Sequence, residues 1–286
     1  MNKTFTVACI QNSAGNDLDK NIKETTELVQ AAHRAGAELI CLPENFAFLE
    51  VNDERLLAGA FTEEFHPAIL HFQSLAAELK VWLLLGSLAI KLPSGKLHNR
   101  SYLLDASGNI VARYNKLHRF DVSLKVGESY RESATVEAGN QAVVAPMPWG
   151  GLGLTICYDL RFAYLYRALA KAGAAYLTIP AAFTKTTGEA HWHVLVRARA
   201  IETGSYVFAP GQCGRRPNGR ATFGHSLIVD PWGRILADSG QDPGLILAEI
   251  DPAKVSEVRH MIPALQHDRA FIPPETVVLT PSASES

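Results

Sequence analysis

The amino-acid sequence predicts an α/β fold in which two mixed β-sheets pack face to face and helices lie outside them. Two observations support this prediction. Short apolar runs alternate with amphipathic runs along the chain, and some apolar runs follow one another with only a turn between them. At 286 residues, 47% of them hydrophobic, the chain can bury a large core. We expect one domain over residues 1–272 and a flexible, Ser-rich tail over 273–286.

The N-terminal region predicts strand, helix and strand in that order. Residues 5–10 form a short apolar run, and residues 17–34 place Leu18, Ile22 and Val29 on one face of a helix. The segment 35–37, with Gly36 at its centre, ends that helix, and residues 39–42 form a buried strand. This order indicates that the two strands are parallel.

The remaining elements follow from the same patterns. A helix over residues 64–80 precedes a strand over 81–86, and residues 100–105 and 110–115 flank a turn as in a β-hairpin. Further strands are predicted at residues 143–146, 152–156, 176–179, 206–210, 226–230, 235–237 and 245–250, and further helices at 162–171 and 189–202.

Two segments of the chain resemble each other. Residues 35–44 and 172–181 both read as a helix end, a buried strand and a proline, which suggests an internal pseudo-symmetry. The two segments differ at their last position, where one has Glu44 and the other has Ala181.

Composition excludes several classes of function. The formal net charge is −2 with no run of Lys or Arg, which argues against nucleic-acid binding and against a basic membrane-binding patch. No apolar segment reaches the roughly 18 residues of a membrane span, and we expect no signal peptide. The four cysteines form no CxxC pair, so we expect neither a zinc site nor a disulfide framework, and a cytoplasmic location.

Cys157 lies where chemistry can reach it. It closes the apolar run 151–156 and precedes a predicted helix, so we expect it on a strand-to-helix turn. Free N–H groups at the start of that helix would favour the thiolate. The alternative is an inert thiol in the core, as free cysteines usually are.

Glu44 and Lys116 also follow predicted strands. Ligands bind outside the carboxyl ends of parallel strands, and burial there would raise the pKa of Glu44 and suit it to accept a proton. Lys116 could stabilise the negative oxygen formed when a thiolate attacks a carbonyl. The alternatives are a glutamate that accepts N–H groups at a turn and an ordinary surface lysine.

Three motifs together resemble those of the nitrilase superfamily: LPENF (residues 42–46), YNKLH (114–118) and CYDLR (157–161). The resemblance covers most of residues 5–268 and implies an α-β-β-α sandwich that hydrolyses non-peptide carbon–nitrogen bonds. It implies Cys157 as nucleophile, Glu44 as general base and Lys116 as stabiliser of the tetrahedral intermediate and proton donor. Glu132 matches a second glutamate of such sites, although Glu128 could compete with it. The resemblance further implies no metal or organic cofactor, and at least a homodimer.

The C-terminal half is most similar to the branch that contains deaminated-glutathione amidases and omega-amidases. This resemblance implies a small amide substrate that carries a carboxylate, with ammonia as the leaving group through a thioester. We expect Arg161 to bind the carboxylate, with the Thr187 hydroxyl as a helper and the N–H of Tyr158 beside the oxyanion. Arg161 could instead form an ion pair with Asp159.

Other interpretations remain open. An omega-amidase, a nitrilase, or a catalytically silent binding protein would use the same fold. A cysteine protease with a histidine base is formally possible, and the candidates are His118, His191 and His225. His191 and His193 point to different sides of a predicted helix, so they are a poor metal-binding pair.

Overall fold

The computed structural model describes residues 3–125, 128–215 and 220–274. The strands are β1 (Phe5–Gln11), β2 (Leu39–Cys41), β3 (Trp82–Lys91), β4 (Leu97–Leu104), β5 (Ile110–Asn115), β6 (Asp121–Lys125), β7 (Glu128–Arg131), β8 (Val143–Met147), β9 (Gly150–Leu154), β10 (Ala174–Thr178), β11 (Tyr206–Ala209), β12 (Leu227–Val229), β13 (Ile235–Asp238) and β14 (Gly244–Ile250). The helices are α1 (Leu18–Arg34), α2 (Asp53–Gly59), α3 (Pro67–Leu79), α4 (Ala163–Lys171), α5 (Lys185–Thr203) and α6 (Ala253–Met261).

The strands form two six-stranded sheets and a small hairpin of β6 and β7. The first sheet has the order β14-β1-β2-β3-β4-β5, and the second, read from its β8 edge, has the order β8-β9-β10-β11-β12-β13. In both sheets the second, third and fourth strands are parallel and the outer strands are antiparallel to their neighbours.

This shared order confirms the pseudo-symmetry that the sequence suggests. We call the first sheet with α1 and α3 the first half, and the second sheet with α4 and α5 the second half. The similar segments 35–44 and 172–181 contain β2 and β10, which occupy the same place in their sheets. Because α1 and α4 each join the second strand to the third, the helices correspond as well.

The alternation of side chains along β1 explains the layers. Phe5, Val7 and Cys9 face a core cluster that also contains Leu152 and Leu154 of the second sheet. Ala8 and Ile10, which alternate with them, face another cluster, which includes apolar side chains of α1 and α3. Helices α4 and α5 pack on the second sheet. The layer order is therefore helix, sheet, sheet, helix, as predicted.

Local signals set the bounds of the best-predicted elements. Asp17 caps α1, because its side chain accepts a hydrogen bond from the N–H of Lys20 at 3.0 Å. The predicted strands match within three residues, except that β3 runs to Lys91, five residues beyond its predicted end. The hairpin predicted around residues 106–109 is the β4-β5 pair.

Two predicted helices start elsewhere. The helix predicted from residue 64 begins at Pro67, since Glu63–Phe65 forms a 3₁₀ turn. Helix α5 begins at Lys185 rather than at residue 189, because Thr184 caps it. Position 188, inside α5, is a glycine because a Cβ there would come within 2.3 Å of Phe223. The elements α2, α6, β6 and β7 were not predicted.

Most of the predicted tail lies outside the described residues, which end at residue 274. Among the helices in the described ranges, none has the length and apolar character needed to cross a membrane.

Candidate active site

Glu44 lies just beyond the carboxyl end of β2 and is 4% exposed. Strand β3 fixes the backbone that leads to it, because a Cβ on Gly86 would lie 1.9 Å from the carbonyl oxygen of Leu42. The next turn is held by Asn45, which has a φ of 53° and whose N–H donates to the hydroxyl of Ser87. The carboxylate therefore projects from a tightly packed turn.

Lys116 follows β5 directly and is 2% exposed. Its Nζ lies 3.0 Å from Oε1 of Glu44 and 3.0 Å from Oε2 of Glu132. One buried ammonium thus bridges two carboxylates that are far apart in the sequence. The ammonium and the two carboxylates together carry a formal charge of −1.

Cys157 follows β9 and is the first residue of a 3₁₀ turn, Cys157–Arg161. Its φ of 47° is unusual for a residue with a side chain, and its N–H donates to the carbonyl of Pro180 at 2.9 Å. The thiol is 8% exposed and donates a hydrogen bond to Glu44. The turn was predicted, but the 3₁₀ residues separate Cys157 from α4, which begins only at Ala163.

Asp159 anchors the turn that carries Cys157. Its fully buried carboxylate accepts hydrogen bonds from the N–H of Ile156 at 2.9 Å, the N–H of His118 at 3.1 Å and the hydroxyl of Tyr114 at 2.6 Å. The Nδ1 of His118 is also 2.7 Å from it. The segment after β9 is thereby tied to the segment after β5, which contains Lys116. From the sequence, Asp159 was expected only as a partner for Arg161.

Glu132 occupies the place expected of the second glutamate. Besides Lys116, it accepts hydrogen bonds from the N–H of Phe120 at 2.6 Å and from Nδ2 of Asn99 at 3.3 Å. The side chain of its predicted competitor, Glu128, lies outside the described part of the structure.

Asn99 is a site residue that sequence analysis missed. Its Nδ2 donates to Oε1 of Glu44 at 2.8 Å, so it contacts both glutamates that flank Lys116. The available signal was polar: Asn99 and Ser101 are two apart on β4, and both face inward among apolar residues. A buried pair of this kind indicates a polar site.

The charges correct one prediction about Glu44. Burial raises its pKa, but Lys116, together with hydrogen bonds from Cys157, Lys116 and the N–H of Ala182, lowers the pKa below its ordinary value of 4.5. The expected upward shift is wrong because the Lys116 charge and the hydrogen bonds to the carboxylate together outweigh desolvation. Glu44 is therefore ionised at neutral pH.

The other two groups keep their protons. Burial lowers the pKa of Lys116, but Glu132, Glu44 and Cys157 raise it well above its ordinary range. Burial and the Glu44 charge raise the pKa of Cys157 more than Lys116 lowers it. The resting site therefore holds a thiol and not the thiolate that the turn position suggested.

These groups border a cavity of about 410 Å³. Glu44, Lys116, Glu132 and Cys157 lie together along it, and its described lining also includes Phe48, Leu49, Phe120, Tyr130, Arg131, Tyr158, Phe183, Thr187, Arg220 and Thr222. A volume of this size suits a small molecule.

The predicted substrate-binding residues divide into two groups. Tyr158 and Thr187 line the cavity, and the N–H of Tyr158 has no acceptor among the described residues. The Thr187 hydroxyl is 2.8 Å from that of Thr184. Arg161 is not part of the lining: its guanidinium lies 3.2 Å from Nδ1 of His191 and 5.4 Å from the ring centre of Phe183.

Neither expectation for Arg161 describes where it lies. Its predicted ion pair with Asp159 does not form, because Asp159 is occupied by Tyr114 and His118. Two other arginines, Arg131 and Arg220, lie along the cavity instead. The histidines considered as protease bases, His118, His191 and His225, are all absent from the cavity lining.

Comparison with known proteins identifies the family. The family model for carbon-nitrogen hydrolases matches residues 6–260. This chain belongs to the carbon-nitrogen hydrolase family. It is 44% identical over 278 residues to a deaminated glutathione amidase of Synechocystis sp., an alignment that covers 94% of this chain and 100% of the relative.

Solved structures share the carbon-nitrogen hydrolase fold. The Caenorhabditis elegans NitFhit protein matches with a TM-score of 0.88 and 36% identity, over 93% of this chain but only 65% of NitFhit. A mutant amidase from Nesterenkonia sp. AN1 matches with a TM-score of 0.77 and 25% identity, over 93% of this chain and 94% of that chain. That amidase carries the acetamide moiety of fluoroacetamide on its active-site cysteine.

Proposed function

We propose that this carbon-nitrogen hydrolase is an amidase that forms a thioester on Cys157. One observation carries the proposal: the Cys157 thiol donates to Glu44, and the buried Lys116 ammonium joins Glu44 to Glu132 at the same cavity. A nucleophile, a base and a cation are then within reach of one substrate carbonyl. The acetamide adduct on the Nesterenkonia cysteine shows that this sulfur is nucleophilic, which supports Cys157 as the nucleophile here.

Acylation begins when the ionised Glu44 takes the thiol proton and the sulfur attacks the amide carbon. The oxygen becomes negative and is stabilised by Lys116 and by the N–H of Tyr158. The proton on Glu44 passes to the amide nitrogen, the carbon–nitrogen bond breaks, and the amine or ammonia leaves. An acyl thioester remains on Cys157.

Deacylation repeats these steps with water. Glu44 removes a proton from water, the hydroxide attacks the thioester carbon, and the same donors hold the oxyanion. The carbon–sulfur bond then breaks, the acid is released, and Glu44 returns the proton to Cys157. The full cycle consumes one water for each amide bond that is hydrolysed.

The charges favour Glu44 over Lys116 as the proton donor. We expected Lys116 to donate, but a pKa raised well above the ordinary lysine range makes its ammonium a weak acid. Glu44 holds the proton only transiently, and its carboxylate contacts both the Cys157 thiol and the Lys116 ammonium. We therefore assign proton transfer to Glu44 and charge stabilisation to Lys116.

For the substrate, we propose a small amide that carries carboxylates, with deaminated glutathione as the first candidate. The 44% identical Synechocystis relative is named deaminated glutathione amidase. Arg131 and Arg220 along the cavity give it cationic side chains suited to carboxylates. The amide nitrogen of glutathione belongs to its cysteine residue, so this substrate would release an amine and not the ammonia expected above.

A primary amide such as 2-oxoglutaramate is the alternative substrate and would release ammonia. Both substrates yield 2-oxoglutarate, so one coupled assay compares their kcat/KM values directly. We expect deaminated glutathione to be preferred, and no turnover of a simple nitrile. Faster turnover of 2-oxoglutaramate would instead make the protein an omega-amidase.

Substitution of the nucleophile tests the mechanism. Cys157→Ala removes the atom that forms the thioester, so we expect 2-oxoglutarate release to fall to the uncatalysed rate. Cys9→Ala is the matched control, because it removes another buried thiol from the core and should leave turnover near the wild-type value. Turnover that survives in Cys157→Ala would refute the mechanism. No turnover in the wild type would favour a silent binding protein.

We also propose that the protein is at least a homodimer and is cytoplasmic. Tyr164, Val194 and Ile201 expose apolar side chains on α4 and α5, on the outside of the second half. Such a surface supports self-association. The cysteines of the described residues form no disulfide, which supports a reducing compartment. Sedimentation of a monomer alone would refute the dimer.

A further inference from the structure

Two histidines and an aspartate meet outside the cavity lining. Nε2 of His193, on α5, lies 2.9 Å from Oδ2 of Asp238 at the end of β13. Nδ1 of His225, just before β12, lies 2.9 Å from Oδ1 of the same carboxylate. The three candidate ligand atoms all lie within 4.8 Å of one another.

Backbone contacts hold the three side chains in place. Asp238 is paired with Leu227 in the β12-β13 ladder, and its carboxylate also accepts the N–H of Gly240 at 2.9 Å. His225 has a φ of 51°, and its carbonyl accepts the Nε1–H of Trp192 at 2.7 Å. The cluster therefore joins α5, the start of β12 and the end of β13.

We propose that His193, His225 and Asp238 bind a divalent transition-metal ion of the zinc class. Two imidazole nitrogens and one carboxylate oxygen are ligands that such ions prefer, and three protein ligands leave a position for water. In the sequence His193 is paired only with His191, whereas the fold brings it to His225. This proposal does not depend on the amidase mechanism.

The chemistry of each group suits an ion. The two oxygens of the Asp238 carboxylate face the two imidazoles, Oδ2 toward Nε2 of His193 and Oδ1 toward Nδ1 of His225. A neutral imidazole moves its proton to the other ring nitrogen when it turns a lone pair toward a metal. Side-chain exposures of 34% for His193, 21% for His225 and 31% for Asp238 leave a path for the ion and for water.

The ion would have a structural role. The ring of His225 stacks on Phe223 at 4.5 Å, and the ring of His193 meets Phe223 edge-on at 5.9 Å. Phe223 is adjacent to Thr222, which lines the cavity, and it packs against Gly188 of α5. A bound ion would therefore hold α5 against the segment that leads to β12, and it would raise the melting temperature without entering the reaction.

Zinc titration of protein without an affinity tag, after dialysis against a chelator, tests the site. We expect calorimetry at neutral pH to show one Zn²⁺ per chain, and Zn²⁺ to raise the melting temperature. X-ray absorption of the zinc-loaded wild type should show imidazole nitrogens at about 2.0–2.1 Å. The absence of saturable binding, or a zinc environment without imidazole, would overturn the proposal.

Variants locate the ion. His225→Ala and Asp238→Asn should each weaken zinc binding at least about tenfold. Asp238→Asn preserves the size of the side chain, so it remains informative if His225→Ala unfolds. His260→Ala is the matched control, because His260 is an exposed histidine on α6 outside the cluster, and it should bind zinc like the wild type. Undiminished binding by folded Asp238→Asn would place the ion elsewhere and refute the site.

Discussion

The two halves of the molecule have the same strand order and the same helix connections, yet they supply different groups to the cavity. After the third strand the first half has Glu44, and the second half has Ala181 at the matching position. After the second strand the first half has Asn12, and the second half has Cys157 beyond β9. The candidate base and cation thus come from the first half, and the candidate nucleophile from the second.

The difference is one of side chains more than of backbone. Where the second half lacks a counterpart to Glu44, its backbone serves the first half: the N–H of Ala182 donates to Oε2 of Glu44 at 2.8 Å. Equivalent loops thus meet at the cavity, one with a carboxylate and the other with a donor for it. A duplicated fold can build an asymmetric site in this way, because strand ends accept new side chains without a change in the sheet.

The largest effect on this asymmetry is expected from Glu44→Gln. The substitution keeps the shape of the side chain but removes the base, so kcat/KM should fall by about 10²–10⁴-fold. Steady-state release of 2-oxoglutarate measures the loss.

Glu38→Gln is the matched control for that substitution, because Glu38 precedes β2 at its opposite end and accepts the N–H of Thr6. It should change kcat/KM by less than about twofold, because Gln keeps an oxygen that can accept the Thr6 N–H and position 38 is away from the cavity lining. If kcat/KM falls less than tenfold in Glu44→Gln, then Glu44 is not the base, and strand-end position does not determine which half supplies it.

A smaller effect is expected from Gly86→Ala in β3. A Cβ there meets the Leu42 carbonyl, so the backbone that carries Glu44 must move, at a cost of about 1–3 kcal/mol in the free energy of unfolding. We expect a lower kcat with the fold retained, as measured by thermal denaturation and kinetics. Gly15→Ala is the control, since a Cβ at Gly15 meets no atom within 4 Å. Equal kcat values for both variants would show that the turn tolerates displacement.

The smallest effect is expected from pH. With the pKa of Glu44 below 4.5, its charge stabilises the fold above that pH, and this stability is lost as the pH falls through the lowered pKa. Because the pKa values of Cys157 and Lys116 are raised, kcat/KM should be nearly flat between about pH 6 and pH 8. An acid limb near neutrality would mean that desolvation of Glu44 outweighs the Lys116 charge and the hydrogen bonds together.

Most of the fold could be predicted because its elements bury apolar faces. Helix α1 has a cap and a buried stripe, and the central strands are continuous apolar runs. Helix α2 has no buried residue, and α6 buries only Val255 and Val258, so neither leaves an apolar period in the sequence. The start of α5 was missed since Gly188 resembles a loop residue until Phe223 is placed against it.

Site residues that follow strands were easier to predict than residues whose side-chain direction is set by a turn. Glu44, Lys116 and Cys157 follow predicted strands, but that position alone left inert alternatives open, and the resemblance of the three motifs singled them out. Arg161 could not, because the 3₁₀ turn after Cys157 directs it toward His191. The direction of the Glu44 pKa shift depends on Lys116, which follows β5, three strands from β2 in the same sheet, so the local sequence around Glu44 does not show that the two side chains meet.

The position of β1 has a consequence for how the chain acquires its structure. β1 pairs with β2 on one side and with β14 on the other, so that Phe5 lies opposite Ile250. A ribosome must therefore deliver nearly the whole chain before the first sheet can close, while the second sheet can already have formed. Contacts between such distant residues slow folding, and until β14 arrives the free edge of β1 is open to pairing with other chains.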